Sequence, residues 1–175
     1  MRNVDQGGAR IASHDSDAAT VHRDRVLDVW KHAFGPVPDE DDWRDRFWEQ
    51  HRTREDFRLV TAELEEQLLG FAWGYTGRRG QWWADMVADA LGADAEEWIG
   101  GHLEFVELAV LPEHRRLGIG GQLHDALLRD VSHERALLQT DADSSSAGHR
   151  LYRARGWQVV GALAGGKAVM GKRLR

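Results

Sequence analysis

From Leu108 to Leu128 the chain reads LAVLPEHRRLGIGGQLHDALL: an apolar strand, a turn with glycine at 118, 120 and 121, and at once an amphipathic helix. A strand feeding a helix through so short a turn places the chain among α/β layer folds. It also makes an anion site. The first N–H groups of a helix have no intrahelical partner, and the helix dipole favours negative charge there. Glycine lets the backbone turn tightly and lets an anion approach it. Arg115 and Arg116 stand just ahead and add charge-assisted donors. Two familiar phosphate loops do not fit. A P-loop requires Lys and Ser/Thr after its last glycine, where this chain has Gln122 and Leu123, and a dinucleotide fingerprint requires glycine at position 123.

Composition narrows the class. The 175 residues are one ordinary domain's worth, with 42% apolar and 30% charged residues. A net charge of −6 excludes a general nucleic-acid binder, which needs a basic footprint, and suits a cationic substrate. No apolar run nears the roughly 20 residues of a membrane span and no signal peptide is seen, so a cytoplasmic protein without membrane contact is expected. Cysteine is absent, which removes disulfides, thiolate metal sites and a cysteine nucleophile. The nine histidines form no H-x-H or H-E-x-x-H pair, so no metal site is expected.

Along the chain, residues 1–8 read as a flexible N-terminus and ARIAS as a short strand. Val26, Trp30 and Phe34 recur at helical spacing until Gly35-Pro36, and a second helix starts near Pro38, with Trp43 and Phe47 on one face. FRLVTAEL and LLGFAWGYT form a hairpin. In its second strand Leu69, Phe71, Trp73 and Tyr75 alternate with small residues, leaving a nearly bare face for something to approach. Residues 77–101 exceed what a hairpin needs and hold a short helix, WWADMVADAL. A strand over HLEFVELAVLP, a helix from Ile119 to Val131, a strand over RALLQTDAD, a serine-capped helix ending at Gly156 and a final hairpin complete the chain.

LAVLPEHRRLGIGGQL resembles the acyl-CoA loop of the GNAT superfamily of N-acetyltransferases, Arg/Gln-x-x-Gly-x-Gly/Ala after a strand ending Leu-x-Val; here Arg115, Gly118 and Gly120 follow Leu108-Ala109-Val110. A second signature, Leu-Tyr-x-x-x-Gly-aromatic, is LYRARGW, Leu151 to Trp157. The resemblance is specific over Glu104 to Val160; before Asp56 only the order of elements agrees. It implies an α/β single domain over residues 9–175, with a mixed, mostly antiparallel sheet flanked by helices and a splayed central strand pair. Residues 77–101 are then an inserted substrate-side segment. The implied cosubstrate is acetyl-CoA, its arm on the backbone of Leu108, Ala109 and Val110, its pyrophosphate on Arg115, Arg116, Leu117, Gly118, Ile119, Gly120 and Gly121, with Ser145 as a further contact. Ser145 stands where relatives often carry asparagine, Gly148 where they carry alanine, and Trp157 where they carry phenylalanine.

The implied reaction is direct attack of a primary amine on the thioester in a ternary complex. An ammonium has no lone pair, so a base is needed, and the departing thiolate needs an acid. The resemblance puts the base at Glu104, with Glu107 the near alternative and His102 a third, and the acid at Tyr152. Each has a plainer reading as a solvated or packed side chain. Trp82, Trp83 and Trp98, in the inserted segment, are candidates for an acceptor wall. Trp82 shares its helix face with Asp85 and Asp89, and Trp83 with Val87, Ala90 and Leu91. The expected acceptor is a small-molecule amine with an apolar or ring portion. A silent acyl-CoA-binding sensor and an acetyltransferase of protein N-termini or lysines remain alternatives. A homodimer is allowed but not required.

Overall fold

The computed structural model describes residues 8–175, so the flexible start expected at residues 1–8 lies outside the described residues apart from Gly8. Its strands are β1 (Arg10–His14), β2 (Arg58–Leu64), β3 (Gln67–Gly77), β4 (His102–Val110), β5 (Arg135–Asp141), β6 (Gln158–Leu163) and β7 (Lys167–Arg173). They form one sheet in the order β1-β2-β3-β4-β5-β7-β6. Pairing is antiparallel for β1/β2, β2/β3, β5/β7 and β6/β7, and parallel for β4/β5. This is the mixed, mostly antiparallel sheet that the resemblance implies. Among the described residues no helix is long and apolar enough to cross a membrane. The chain divides into two compact units, the first running to Tyr75 and including Glu107–Val131, the second Thr76–Val106 with Ser132–Arg175.

In the first unit, helices α1 (Ser16–Ala19) and α2 (Arg23–Phe34) precede α3 (Glu40–Asp42), a π-helical turn over Trp43–Trp48, and α4 (Glu49–Arg52). The Glu49 N–H donates to the Arg44 carbonyl, five residues back. That wider turn lets Trp43, Phe47 and Trp48 share a face. All three surround Trp73 of β3, with ring centroids at 6.4, 5.8 and 5.5 Å, and Trp30 joins them at 6.1 Å. The bulky residues of β3 thus anchor an aromatic core.

The bare face of β3 is filled from within the same unit. A Cβ on Gly70 would lie 2.6 Å from the Ala109 carbonyl oxygen and 3.1 Å from Leu123 Cδ1. The Leu111 N–H donates to the Leu69 carbonyl at 2.8 Å. Leu123 belongs to α7 (Ile119–Leu127), which buries Ile119, Leu123 and Leu127 as their spacing predicts. The helix stops at Leu127, short of the Val131 expected from periodicity. Asp130 turns into positive φ, and Arg58 Nη1 donates to the carbonyls of Leu127 and Arg129 at 3.2 and 2.6 Å. A cation on the last carbonyls favours a stop there.

In the second unit, α5 (Trp82–Leu91) and α6 (Ala95–Trp98) lay Val87, Ala88, Leu91 and Ala95 against Leu137 of β5 and Val169 of β7. Gly161 and Gly171 make room for this layer: an added Cβ would meet Leu91 at 2.8 Å and the Trp98 ring at 2.6 Å.

Gly70→Ala is expected to lower the unfolding free energy by roughly 1–3 kcal/mol, the range for forcing extra atoms into a packed core. A urea midpoint that falls at unchanged m-value checks this; an unmoved midpoint means the backbone relaxes without cost.

Candidate active site

Alternation along β4 puts His102 and Glu104 on one face. Both are buried, the histidine completely and the glutamate to 3% exposure. His102 Nε2 lies 3.6 Å from Glu104 Oε1. The other ring nitrogen, Nδ1, accepts the Gly100 N–H at 3.1 Å.

Tyr152 sits on α8 (Ala147–Ala154), which starts where the Ser146 hydroxyl accepts the His149 N–H at 3.3 Å and is followed by Gly156 at φ +83°. Its ring is buried, edge-on to Phe105 at 5.8 Å and to Trp157 at 6.0 Å. The tryptophan at 157 therefore does the packing work implied for a phenylalanine there. Gly148 permits close approach of α8 to β5: a Cβ would lie 3.0 Å from Thr140 Oγ1. Ser145 donates both its N–H (2.9 Å) and its hydroxyl (2.7 Å) to Asp143 Oδ1. The two bonds hold Asp143 below the usual carboxylate range.

The glycine loop belongs to the first unit. After the turn at Pro112–His114, Arg116 adopts φ +64° and Gly118 φ +81°, and Gly118 caps α7. The two left-handed residues curl the chain ahead of the helix, with Arg115, Arg116, Leu117 and Gly118 exposed. The first N–H that closes a helical bond is Gln122, to the Gly118 carbonyl at 3.1 Å. The N–H groups of Ile119, Gly120 and Gly121 precede it and have no acceptor one turn back. Arg115 Nε donates to the Val110 carbonyl at 3.3 Å, which ties this guanidinium to the end of β4.

β4 pairs with β5 through two rungs, Leu103↔Ala136 and Glu104↔Leu137. Beyond them, Glu107 is half-buried at its surface. Its carboxyl is nonetheless ringed by protein, and burial pushes it up to about 8.

The inserted tryptophans sit in different surroundings. Trp82 is 76% exposed and lies with Asp85 and Asp89 on the outer face of α5. Trp83 and Trp98 instead pack against the core of the second unit. Trp83 Nε1 donates to Gln139 at 2.9 Å, and the Arg173 guanidinium covers the Trp98 ring at 4.5 Å. Gly171 opens the space that the Trp98 ring fills. Ala90, expected on the core side, is exposed, so the buried stripe runs through Ala84, Val87, Ala88 and Leu91.

The fold also gathers a group that linear spacing concealed. Donor atoms of His14, His22 and Glu63 lie within 4.8 Å of one another. Burial is the main cause that lowers both histidines' basicity. Burial also pushes Glu63 up, but Arg25 and Arg10 outweigh it and leave the carboxyl low. Arg10 lies 3.2 Å from Glu63 Oε2, and Arg25 lies 3.5 Å from Oε1 and 3.4 Å from His22 Nδ1. Two guanidiniums already supply the positive charge that a metal ion would bring.

A strand leading through a glycine turn into a helix, followed by a further strand and a serine-capped helix, defines an α/β layer domain with a built helix start. Residues 23–157 match the model of the acetyltransferase (GNAT) family, and the chain belongs to that family. It is 31% identical over 108 residues to the GCN5-like protein acetyltransferase Rv2170 of Mycobacterium tuberculosis, covering 57% of this chain and 52% of that protein. The chain thus spans about half the length of this curated relative. Its fold is similar to aminoglycoside 6′-acetyltransferase type Ii (TM-score 0.65, 21% identity, 94% and 97% of the two chains). It is also similar to yncA of Salmonella typhimurium, solved with acetyl-CoA (TM-score 0.63, 17% identity, 95% and 94%).

The raised carboxyl at Glu107 has a consequence for stability. Below about pH 4.5 the group is protonated in both folded and unfolded chains and costs nothing. As pH rises towards 8 the unfolded chain ionises first, so this group's contribution to stability is lost across that window. Glu107→Gln should remove that part of the decline and gain on the order of 2 kcal/mol at pH 8 relative to pH 4.5, less than full linkage because the residue keeps part of its surface in water. Urea unfolding of both proteins from pH 4 to 9 measures it. Parallel curves would show that the carboxyl ionises freely.

Proposed function

We propose that the protein transfers the acetyl group of acetyl-CoA to a primary amine of a small molecule, by direct attack in a ternary complex. The observation that carries this reading is the loop: left-handed Arg116 and Gly118 lead an exposed run, Arg115 to Gly118, into the start of α7. The N–H groups at that helix start, with Leu117 and the two arginines, form the pyrophosphate cradle, and the helix dipole adds to the attraction. Leu108 to Val110 follow the two rungs that β4 makes with β5, and their backbone groups take the pantetheine arm as an added strand would.

In the chemical step the amine nitrogen forms a bond to the thioester carbonyl carbon and the C–S bond breaks. Glu104 takes the amine proton, directly or through a water. Tyr152 gives its phenolic proton to the departing thiolate and is reset from solvent. Electrons and protons balance without a metal or a covalent enzyme intermediate. A second assignment, Glu107 as the base, is favoured by its carboxyl titrating at about 8, where a general base works best. The small-molecule acceptor is supported by the likeness in fold to the aminoglycoside acetyltransferase, and by the exposed Trp82 beside Asp85 and Asp89, a surface suited to a cation on an apolar body. A protein acceptor is the alternative, favoured by the name of the mycobacterial relative. A silent acyl-CoA sensor would bind the thioester and release no thiol.

The acceptor is tested by incubating the enzyme and acetyl-CoA with kanamycin, tyramine, spermidine or a lysine peptide and following CoA thiol release. Turnover of kanamycin or tyramine above spermidine and the peptide is expected. Preference for the peptide overturns the small-molecule reading, and binding without release under every condition overturns the enzyme. Tyr152→Phe should lower kcat roughly 10²–10⁴-fold with acetyl-CoA affinity retained. Full activity in that variant removes Tyr152 as the acid. Gly120→Val should abolish the rise in Tm that acetyl-CoA gives the native protein, because the new side chain stands where the pyrophosphate lies; an unchanged rise in a folded variant moves the cradle elsewhere.

A further inference from the structure

We propose that His102 is a positioning residue for Glu104, and that the end of the inserted segment acts as the clamp that holds this imidazole. The proposal rests on the reading of Glu104 as the base and concerns what aims it.

The argument starts with hydrogens. A backbone N–H can only donate, so the bond from Gly100 to His102 Nδ1 at 3.1 Å requires a lone pair on Nδ1. The neutral ring then carries its hydrogen on Nε2, the atom that faces Glu104 Oε1 at 3.6 Å. The ring is fully buried, and Nε2 has no hydrogen-bond partner among the described residues. A buried donor left in that state costs roughly 1–3 kcal/mol. At 3.6 Å the pair is just beyond bonding distance, and a small turn of the carboxylate closes it. Apo sites commonly hold their hydrogen bonds this loosely and tighten when substrate arrives.

The ring's place is made by two features of the chain. A Cβ on Gly77 would lie 2.2 Å from His102 Nε2 and 2.4 Å from Cε1, so the imidazole occupies the volume that glycine vacates. The Gly77 carbonyl also accepts the Gly101 N–H at 2.9 Å, which ties the two ends of the insertion together. Arg135 on β5 then grips the closing turn: Nε donates to the Trp98 carbonyl at 3.1 Å and Nη2 to the Gly100 carbonyl at 2.6 Å. Gly100 and Gly101 stand at φ +100° and +73°, left-handed values open to glycine, so the turn aims the Gly100 N–H at the ring. Trp98, seated on Gly171 beneath Arg173, anchors the start of that turn. The line of contact therefore runs from Arg135 through the Gly100 peptide to Nδ1, and from Nε2 to the carboxylate. The segment thereby bears on the chemistry through its backbone.

Two measurements on the whole protein test this. Long-range ¹H–¹⁵N spectra of histidine-labelled enzyme report the tautomer directly: hydrogen on Nε2 of His102, assigned by its loss in His102→Gln, is expected, and hydrogen on Nδ1 overturns the proposal. In kinetics with the panel amine turned over fastest, His102→Leu should lower kcat about 10–100-fold, the rate equivalent of one hydrogen bond to a charged group, with the KM for acetyl-CoA unchanged. His102→Gln, whose amide N–H reaches about where Nε2–H does, should recover most of the loss, and Gly77→Ala, which displaces the ring, should reproduce it. If His102→Leu does not fold, the glutamine and alanine variants and the tautomer decide. A His102→Leu kcat within twofold of the native value, alongside a large loss in Glu104→Gln, sinks the positioning role alone. Full activity in Glu104→Gln instead removes the base reading on which it rests.

Discussion

The parallel ladder between β4 and β5 ends after Leu103↔Ala136 and Glu104↔Leu137, and that end leaves the rest of β4 free of β5. A parallel pair normally continues as far as both strands remain extended, because each rung satisfies one donor and one acceptor. β4 runs on for six residues past its last rung to β5, through Glu107 to Val110 and into the glycine loop. On its other side it is held closely: the Ala109 carbonyl fills the space above Gly70. A strand so anchored has backbone groups to offer a ligand, while its side chains keep fixed positions.

The protein handles acid groups in two ways along this strand. Glu104 is buried with a histidine two residues away, in surroundings built by β4, β5 and the returning insertion. Glu107 is half-buried, and desolvation alone raises it to about 8. Burial disfavours a charge unless a donor or a cation compensates. At Glu63 the compensation is complete, with two guanidiniums at hydrogen-bonding or ion-pair distance, and the carboxyl stays low in spite of burial. The contrast separates a carboxylate held as a charge from one that desolvation alone raises.

Much of this was legible in the residues themselves. Helix and strand periods, the serine cap before α8, the glycine stops at 35 and 156 and the two motifs at Arg115–Gly120 and Leu151–Trp157 all act within a turn or two of chain. The order of elements and the family follow from such signals. The π-turn at Trp43–Trp48 and the early end of α7 did not, because one answers to packing round Trp73 and the other to Arg58, 69 residues from the carbonyl that it caps. In the insertion, helical parity told Trp82 from Trp83, but not that a glycine on β7 had cleared room for Trp98.

By itself the sequence determined the α/β layering, the glycine turn ahead of α7 and a short list of acid–base candidates, because caps, glycines and apolar periods exert their effects locally. Only the tertiary structure decided which groups share an environment. It set His102 into the space left by Gly77, 25 positions away in the chain, and drew Arg135 onto the Gly100 turn. It also brought His14, His22 and Glu63 to within 4.8 Å. Burial, and with it the protonation of a carboxyl, is a property of everything that folds around a group, and no window of neighbouring residues contains that information.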